Sequence, residues 1–506
     1  MPETPVVPDL TPYDEVAYPC HAHRQTHPEN LGAIARMCGV NAVEPTRCRV
    51  LEIGCGSGEN LLPMAAQLPG AVFFGVDLAE TSIREAGAAA RAAGLTNIEW
   101  LAADLTKLNA AEHGRWDYII AHGVFSWVPE VVRRALLRVC RDLLTENGVA
   151  FISYNAFPGG HVRGMLREML LYHVDSAAEP KIKINQGRAL LKLLTDGHRD
   201  TDEYGAVLRA EAARVMAFNP HHFYHDDLAG INQPYYVEQF AAMAAAHGLS
   251  YVWDADFSAE SESHLSPEVR EVLSGLNHDP VRKAQYLDFI KCRRFRQTLL
   301  CRQETVRLSL DPVERLKSLR FSCSAKSREG DNQGEGEEEF RGVGDLTIRT
   351  ADGTAKHLMR AMAENWPGRL TWDELAFASG SAPEATIAGI LQELTASGAA
   401  TAFLGAAPFV RTLSERPLGS HLARRQLEHS AAVTTLGHQT VEIADELGRW
   451  VLAHLDGTRT AEELAALLAR QVNPVLGEDP EVSLREARVH VDTALQSLLG
   501  LCLLEG

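Results

Sequence analysis

The sequence predicts an α/β protein in which a parallel sheet forms the first part of the chain. From residue 46 to about residue 175, apolar strands alternate with helices, as in sheets built from parallel strands and crossover helices. A glycine-rich turn joins the first of these strands to the helix after it. Two similar helix-and-strand units end the chain. The predicted fold class is therefore α/β, with a Rossmann-like sheet, a helical and mixed middle region and two C-terminal winged-helix-like units.

The composition is typical of a soluble globular protein with several domains. Its 506 residues exceed what one hydrophobic core organises, so we expect about three domains. Apolar residues make up 45% of the chain and charged residues 23%. No apolar run reaches the length of a transmembrane span, and the start "MPETPVVPDLTPYDE" lacks the basic and apolar parts of a secretory signal. The sequence therefore predicts a cytoplasmic protein with no membrane partner.

The cysteines predict neither disulfides nor a metal site. The nine cysteines are scattered without paired spacing, which is typical of reduced thiols in the cytosol. Cys20, His21 and His23 could bind a metal ion, but no second cluster with zinc-type spacing follows them. We therefore predict no metal.

The net charge of −18 bears on the choice of partner. A protein this acidic would be repelled by a phosphate backbone unless it carried a local basic patch. A basic protein or peptide fits the charge better. We therefore predict a protein partner and no nucleic acid.

The strands of the predicted sheet follow an N-terminal segment of different character. Residues 1–45 are predicted to form a lid or substrate segment, because "TPYDEVAYPCHAHRQTHPENL" holds too many prolines and turn formers for a long helix. Residues 46–175 form the sheet domain. Its five strands lie in "CRVLEIGCGSGENLLPMA", "AVFFGVDLA", "IEWLAADL", "WDYIIAHGVFSWVP" and "GVAFISYNAFPGGH".

The first strand and its glycine turn indicate the cofactor. Gly54, Gly56 and Gly58 form a tight turn, where a Cβ would block a ligand lying on the backbone. A dinucleotide-binding turn would have its third glycine at position 59, where this chain has Glu59. Glu52 adds a second carboxylate at the end of the strand. Because these carboxylates would repel a pyrophosphate and attract the sulfonium and ammonium groups of S-adenosylmethionine, we predict the latter as cofactor.

Acidic residues at the next two strand ends support this cofactor. Asp77 is placed to accept hydrogen bonds from both ribose hydroxyls, Asp104 to bind the adenine amino group, and Leu78 and Leu105 to sandwich the purine. One acid at a strand end is more often a helix cap, but three in succession beside the glycine turn favour ligand binding. His122 ends the fourth strand and should lie near the methionine half of the cofactor. The predicted cofactor-binding residues are Tyr13, Glu52, Gly54, Gly56, Gly58, Asn60, Asp77, Leu78, Asp104, Leu105 and His122.

Several long stretches resemble one known family. They are "YDEVAYPCHAHRQTHPENL", "CRVLEIGCGSGENLLPMA", "DYIIAHGVFSWVP", "SYNAFPGGHVRGMLREMLLYH" and "QYLDFIKCRRFRQTLLCR", which together span residues 13 to 302. They resemble class I methyltransferases that carry a methyltransferase regulatory domain, typified by bacterial protein-lysine methyltransferases that modify outer-membrane proteins. The resemblance implies a class I methyltransferase sheet and a protein lysine as acceptor. Phe125 and Gly160 depart from the family's tyrosine and tryptophan, which leaves a different acceptor open.

Amine methylation requires an apolar, aromatic acceptor site, because burial lowers the pKa of the amine. Phe125 and Trp127 could wall an acceptor channel, although packing in the core is an equal alternative for Trp127. Tyr154 and Asn155 follow the fifth strand and offer a hydroxyl and a carbonyl, or else begin a turn before a proline. The N-terminal segment could fold over the cofactor and exclude water, although His27 could instead begin a helix. The predicted catalytic residues are Tyr18, His27, Trp127, Tyr154 and Asn155.

The rest of the chain divides by composition and pattern. Residues 176–217 are predicted to be a helical connector, and residues 218–305 to be the regulatory domain that the resemblance implies. The basic run "KCRRFR" (291–296) is predicted to be a solvated face or to pair with the segment 324–341. That segment is rich in glycine and glutamate and has almost nothing apolar, so it predicts an acidic flexible linker.

Two winged-helix-like units are predicted at 342–417 and 418–506. "RLTWDELA" and "TRTAEELA" each place a threonine cap three residues before a glutamate at the start of a helix. From residue 343 onward the chain has 13 Lys and Arg against 21 Asp and Glu, so counterion release cannot drive DNA binding. We therefore predict contacts with protein for these units.

Two alternatives to a protein-lysine methyltransferase stay open at this point. The first is an N- or O-methyltransferase that acts on a small molecule or a modified peptide. The second is a scaffold without catalytic activity that keeps the fold and binds protein partners. A homodimer is an open alternative to a monomer.

Overall fold

The structure is a computed structural model that describes residues 21–175, 179–199, 202–308, 311–327, 336–342, 346–476 and 480–505. Two predicted site residues, Tyr13 and Tyr18, lie outside these ranges. The described part confirms the α/β class, with one large mixed sheet in its first half and smaller sheets among helices in its second half.

The large sheet has seven strands in the order β3-β2-β1-β4-β5-β7-β6. Strands β1 to β5 are parallel, and β7 lies antiparallel between β5 and β6. The strands of this sheet are β1 (Arg49–Ile53), β2 (Val72–Asp77), β3 (Ile98–Ala102), β4 (Trp116–Ala121), β5 (Leu144–Asn155), β6 (Leu249–Asp254) and β7 (Phe295–Arg302).

Helices cover both faces of this sheet. Along β5, Phe151 belongs to the core on one face, whereas its neighbours Ala150 and Ile152 belong to the core on the other. The helices of this half are α1 (Pro28–Met37), α2 (Leu61–Gln67), α3 (Glu80–Ala92), α4 (Ala110–His113), α5 (Glu130–Leu143), α6 (Gly159–His173), α7 (Pro180–Asp196), α8 (Glu203–Ala217), α9 (Pro220–His222), α10 (Val237–Ala246), α11 (Pro267–Ser274) and α12 (Pro280–Lys291). The two helices predicted in the connector are thus present as α7 and α8.

Strands β6 and β7 come from the region that the sequence predicts as a separate middle domain. β7 pairs with β5 from Ala150–Leu300 to Asn155–Phe295 and closes what would otherwise be the open edge of a long, buried strand. The middle region therefore completes the large sheet and forms no independent sheet of its own among the described residues. "RFRQTLLCR" is a strand as predicted, but its partner lies about 145 residues earlier in the chain.

Part of the predicted acidic linker is ordered, which corrects the prediction for its two ends. Lys326–Ser327 and Glu338–Arg341 are strands β9 and β10 of a three-stranded sheet, and residues 328–335 lie outside the described ranges. Phe340 is fully buried, and Glu338 is 1% exposed and pairs with Arg360. One aromatic ring and one buried ion pair therefore order a strand that the overall composition did not predict.

The second half of the chain has helices and short strands in both predicted units, but Leu370–Thr371 and Thr401–Phe403 of the first unit pair with Arg320–Ser322, which lies before that unit's predicted start at residue 342. The helices are α13 (Pro312–Leu316), α14 (Gly353–Asn365), α15 (Trp372–Ala378), α16 (Glu384–Ala396), α17 (His421–Gln426), α18 (Glu446–His454), α19 (Ala461–Leu476) and α20 (Pro480–Gly500). The remaining strands are β8 (Arg320–Ser322), β11 (Thr347–Thr350), β12 (Leu370–Thr371), β13 (Thr401–Phe403), β14 (Leu418–Gly419), β15 (Ala432–Thr434), β16 (Thr440–Glu442) and β17 (Leu504–Glu505).

Both predicted capping boxes are present. Glu374 accepts a hydrogen bond from the Thr371 backbone and donates its own backbone N–H to the Thr371 hydroxyl, at 2.7 and 3.3 Å. Glu463 and Thr460 do the same at 2.7 and 3.2 Å. The described cysteines are all free thiols. None of the helices in the described ranges combines the length and the apolar character needed to cross a membrane.

Candidate active site

The register of the parallel strands brings the predicted cofactor residues to one edge of the sheet. Glu52 of β1 lies opposite Gly75 of β2 and Ile120 of β4. Asp77, the last residue of β2, lies opposite Ala102, the last residue of β3. The carboxyl ends of β1 to β4 are therefore level, and the residues that follow them surround one cleft, the location where ligands bind in open α/β sheets.

The glycine turn after β1 depends on protein packing as much as on a ligand. Gly54, Gly56 and Gly58 have φ values of 77°, 53° and 87°, in the region that side chains disfavour. A Cβ on Gly54 would lie 2.5 Å from Val124, and one on Gly58 would lie 2.5 Å from the Trp100 ring. The prediction that these glycines make room for a ligand is therefore incomplete, because Gly54 and Gly58 also make room for the Val124 and Trp100 side chains.

Asp77 and Asp104 hold the loops that follow their strands. Asp77 accepts hydrogen bonds from the backbone N–H of Gly56 and Ala79, both at 2.9 Å, so it links the glycine turn to the end of β2. Asp104 accepts the N–H of Thr106 at 2.9 Å. Asp104 thus acts as a helix cap, which the sequence left as the alternative, whereas Asp77 joins two loops and caps no helix. Each acid still lies at the cleft with an acceptor group. Leu78 is 48% exposed and Leu105 is half-buried, so both keep apolar surface open at this edge.

Glu52 is buried at the floor of the cleft. It is 3% exposed, and its Oε1 accepts a hydrogen bond from the Asn60 side-chain amide at 2.7 Å. Its Oε2 has no hydrogen-bond partner among the described residues. Burial raises the pKa of this carboxyl to about 8, and the Glu59 and Asp77 carboxylates add to the rise against the hydrogen bond from Asn60. A buried carboxylate with one unsatisfied oxygen fits a cationic ligand.

Four histidines line the same cleft and are kept neutral. Burial lowers the pKa of His23 to about 4 and that of His27 and His122 to about 3, and it lowers the pKa of His438 well below the ordinary value. The rings of His23 and His122 lie 4.0 Å apart, and His122 Nδ1 lies 3.0 Å from the Ser153 hydroxyl. These rings therefore add no positive charge to the cleft at neutral pH.

The predicted acceptor residues are distributed around the end of β5. Trp127 is half-buried in the 3₁₀ turn Phe125–Trp127 after β4. Asn155 is half-buried, donates its side-chain amide to Asn232 at 2.9 Å, and donates its backbone N–H to the Ser126 hydroxyl at 2.8 Å. These bonds fix the orientation of Asn155 beside the cleft.

Three expectations about the acceptor site are corrected by burial. Tyr154 is 1% exposed, its ring stacks on Phe240 at 4.2 Å, and its hydroxyl bonds to Thr298, because alternate residues of β5 face opposite sides of the sheet. Phe125 is fully buried and packs on the same Phe240 ring, so it walls no open channel. His27 is 4% exposed and caps α1 through the Glu29 N–H, which is the alternative that the sequence left open.

Aromatic side chains that the sequence analysis missed lie next to Asn155. The His122 and Phe295 ring centroids are 6.0 Å apart. A second group of rings follows Asn155 in the chain, with Phe157 and Tyr236 at 5.1 Å and Tyr236 and Phe289 at 5.9 Å. Phe295 is 37% exposed and Phe289 50% exposed. We call Phe157, Tyr236, Phe289 and Phe295 the aromatic surface. No local pattern could identify it, because three of its four residues come from the middle region and meet the cleft only through β7.

Metal binding receives no support from the described side chains. Within the described ranges, no group of three or more His, Cys, Asp or Glu residues is arranged to hold a metal ion.

Three stretches of the chain match known families. Residues 50–148 match a methyltransferase domain, residues 219–302 a predicted methyltransferase regulatory domain, and residues 415–503 a C-terminal winged helix domain of PKMT. The predicted methyltransferase sheet, regulatory region and second winged-helix unit are thereby confirmed.

Two curated proteins of Rickettsia prowazekii (strain Madrid E) are similar to this chain. Uncharacterized protein RP789 is 41% identical over 303 residues, which are 60% of this chain and 54% of that protein. Uncharacterized protein RP028 is 36% identical over 233 residues, which are 46% of this chain and 93% of that protein. This chain thus spans about half the length of the first of these relatives and nearly all of the second.

Two solved structures are similar over almost their whole length. Both are of PKMT2 from Rickettsia typhi, and one of them is in complex with AdoHcy. Each has a TM-score of 0.84 and covers 97% of this chain and 100% of its own, at 28% and 27% sequence identity. The likeness therefore includes the C-terminal units as well as the large sheet.

Proposed function

Because the chain belongs to the family of S-adenosylmethionine-dependent methyltransferases with a regulatory domain and a PKMT C-terminal winged helix domain, we propose that it methylates lysine side chains of a protein substrate. The observation that carries the proposal is the likeness to PKMT2 over 97% of this chain, since PKMT abbreviates protein-lysine methyltransferase. A methyltransferase fold alone would not favour a protein acceptor, because many acceptors share that fold.

The donor side of the cleft fits S-adenosylmethionine, which supplies an electrophilic methyl group on a sulfonium. Asp77 would accept the ribose hydroxyls, Asp104 would accept the adenine amino group, and Leu78 and Leu105 would contact the purine faces. Glu52, whose buried Oε2 has no partner among the described residues, would provide negative charge near the cationic end once its carboxyl has lost the proton. The neutral histidines add no positive charge that would oppose a cation.

The aromatic surface supports an amine acceptor. At pH 7 only about one lysine in 2500 is neutral, and deprotonation costs roughly 4.6 kcal/mol. An apolar and aromatic channel reduces this cost because it disfavours the ammonium form of a buried amine. Aromatic faces also stabilise a partly cationic transition state. Phe295, next to His122 and opposite Asn155 in the sheet, is the ring of this surface that we place at the acceptor amine.

The finer parts of the proposal concern the partner and its location. The net charge of −18 favours a lysine-rich protein segment through charge complementarity. An outer-membrane or surface protein as substrate follows from the family resemblance alone, whereas the cytoplasmic location stays a prediction made from the sequence, with its scattered cysteines. The homodimer stays a prediction that sedimentation of the purified chain would test.

Transfer of labelled methyl groups tests the proposed function. The purified chain is incubated with methyl-labelled S-adenosylmethionine and purified bacterial outer-membrane proteins, and mass spectrometry then locates the label. We expect label on lysine residues and its loss when those lysines are replaced by arginine. Label found only on a small molecule would instead support the small-molecule methyltransferase, and donor binding without transfer to any acceptor would support the scaffold.

Donor affinity is expected to increase with pH because of Glu52. With its pKa raised to about 8, the Glu52 carboxyl is protonated in the free chain at about pH 6, and this proton has to leave before the carboxylate can attract a cation. The dissociation constant for S-adenosylmethionine should therefore fall between about pH 6 and about pH 8.5 in calorimetric titrations. The raised pKa of Glu52 also affects stability. As the pH rises over this range, the free energy of unfolding of the free chain should fall, because the folded chain holds the proton more tightly than the unfolded chain.

Two variants make the pH dependence specific. Glu52→Gln should remove most of the pH dependence, whereas Glu99→Gln, a matched change at an exposed position of β3, should keep it. A wild-type affinity that stays constant or falls over the same range contradicts the role given to Glu52.

A further inference from the structure

The C-terminal winged-helix domain reaches the donor cleft through one turn. Strands β15 and β16 pair from Ala432–Glu442 to Thr434–Thr440, and residues 435–439 join them. Near the cleft, the Gln67 side chain of α2 donates a hydrogen bond to the Thr435 carbonyl at 3.2 Å. The Ala22 backbone N–H, in the segment before α1, donates to the Thr440 hydroxyl at 3.2 Å. The turn is therefore held from two sides by the methyltransferase half.

His438 is the residue of this turn that enters the cleft. It is 2% exposed although it belongs to a loop, and its ring lies 5.0 Å from the ring of His27. Its φ of 56° is in the left-handed region, which costs energy for a side chain other than glycine. The Thr435 carbonyl accepts the His438 backbone N–H at 2.9 Å and stabilises this conformation. The chain thus tolerates a strained backbone in order to bury one imidazole beside the donor residues.

The imidazole of His438 completes the hydrogen bonds of Asn60. The Asn60 amide donates to Glu52 at 2.7 Å and to the Thr26 hydroxyl at 3.0 Å. Its oxygen accepts the backbone N–H of His23 at 2.9 Å and lies 3.1 Å from His438 Nε2. The Thr26 hydroxyl is also 3.1 Å from this oxygen, but it donates its one proton to the nearer His23 carbonyl at 2.8 Å. Because this oxygen can only accept, His438 must carry its proton on Nε2.

These four bonds are the full capacity of a primary amide, and Asn60 is 6% exposed. Its side chain is therefore fixed from four directions, by β1, by the N-terminal segment twice and by the C-terminal domain. The amide in turn holds Glu52, the acid at the floor of the donor cleft. The sequence analysis expected Asn60 to touch the cofactor, but all four of its bonding positions already have protein partners.

We propose that His438 is a positioning residue for the methyl donor, and that the C-terminal domain controls donor affinity through the chain of bonds from His438 to Asn60 to Glu52. When the domain is docked, Asn60 is held in the orientation that presents Glu52 to the cation. When the turn leaves the cleft, Asn60 loses one acceptor bond and the amide can rotate away from Glu52. The inference rests on the donor site of the proposed function and is independent of the acceptor.

Affinity for S-adenosylhomocysteine tests the inference without any acceptor. His438→Gly removes the imidazole and also suits the positive φ, so no backbone strain accompanies the change. We expect the dissociation constant to rise about fivefold, the effect of one buried hydrogen bond. His438→Gln offers an N–H at a similar reach and should bring the affinity back to within about twofold of wild type. The matched control His429→Gly, at an exposed histidine of the same domain, should bind like wild type.

Hydrogen exchange of the wild-type chain provides a second readout that a purely structural role would not change. If docking favours donor binding, donor binding must favour docking by the same factor. S-adenosylhomocysteine should therefore slow the exchange of the amides of residues 435–439, and this measurement needs no variant that could fail to fold. Affinity of His438→Gly within about twofold of wild type, or exchange that the ligand leaves unchanged, would overturn the inference. If affinity and exchange both change as expected but the wild-type chain transfers no methyl group to lysine, the proposed function is refuted and the inference about His438 stands.

Discussion

Replacement of Asp77 by alanine is expected to weaken the binding of S-adenosylhomocysteine about 100-fold. One Asp77 oxygen accepts the Gly56 N–H and the other accepts the Ala79 N–H, both at 2.9 Å, and the proposal adds both ribose hydroxyls. The variant loses the charge-assisted bonds to the ligand and leaves two backbone donors of the cleft unpaired. These losses sum to about 3 kcal/mol, which corresponds to a factor of about 100. Calorimetric titration of the purified variant measures the change directly.

Two further variants separate binding of the ribose from support of the glycine turn. Asp77→Asn keeps the shape and one acceptor oxygen, so its affinity should lie between those of alanine and wild type. Glu80→Ala, an exposed acid three residues further on, should bind like wild type. If Asp77→Ala binds the ligand within about threefold of wild type, Asp77 only supports the turn and the ribose is held elsewhere.

The donor edge of the sheet could be predicted because its residues are identified from the strand ends, which are local features of the sequence. Each parallel strand ends at the same edge, so the residue after each strand is known once the strand is recognised. Glu52 and Asp77 are the second-last and last residues of β1 and β2. Asp104 and His122 lie two residues and one residue beyond β3 and β4, so all four come to the same edge of the sheet. The sequence could not decide between a cap and a ligand contact for Asp77 and Asp104, because one carboxylate can do both.

The acceptor side could not be predicted to the same extent because its neighbours are distant in the chain. The face of the sheet on which Tyr154 lies depends on the register of β5. A shift of the register by one residue would move each side chain of the strand from the core face to the opposite face. Phe295 enters the site only because β7 pairs with β5, which the sequence does not reveal. His438 comes from a different domain, about 378 residues after the Asn60 that it contacts. Its burial results from docking of folded domains, for which a single sequence carries no periodic signal.

The basic run "KCRRFR" shows how a local charge pattern can mislead. It was predicted to be a solvated face or to pair with the acidic segment 324–341. In the structure Arg296 is completely buried, Arg293 pairs with Asp254 at 2.8 Å, and Arg294 pairs with Glu211 at 2.7 Å. The acids that neutralise the run lie on separate elements, Asp254 on β6 of the middle region and Glu211 on α8 of the connector, so the pattern of basic residues alone could not identify them.

Replacement of Arg296 by methionine is expected to lower the free energy of unfolding by about 3–5 kcal/mol. Arg296 Nε and Nη2 donate to the two oxygens of Asp288 at 2.7 and 2.8 Å, and its Nη1 lies 2.9 Å from Glu260. Asp288 is 1% exposed and Glu260 is 8% exposed. Methionine fills part of the volume, but it leaves two buried carboxylates without their counter-charge. Urea denaturation at about pH 8 measures the loss as a lower transition midpoint.

The pH dependence of this loss identifies its cause. Burial already raises the pKa of Asp288 in the presence of the arginine, and without that charge the Asp288 carboxyl should hold its proton still more tightly in the folded chain than in the unfolded one. Protonation then removes the uncompensated charge, so the difference between variant and wild type should shrink as the pH is lowered from about 8 to about 5. Arg302→Met, on the same strand but paired with the exposed Glu304, should cost less than about 1 kcal/mol at either pH. If the free energy of unfolding falls by the same amount at both pH values, then lost packing, and not an uncompensated buried charge, destabilises the Arg296→Met variant.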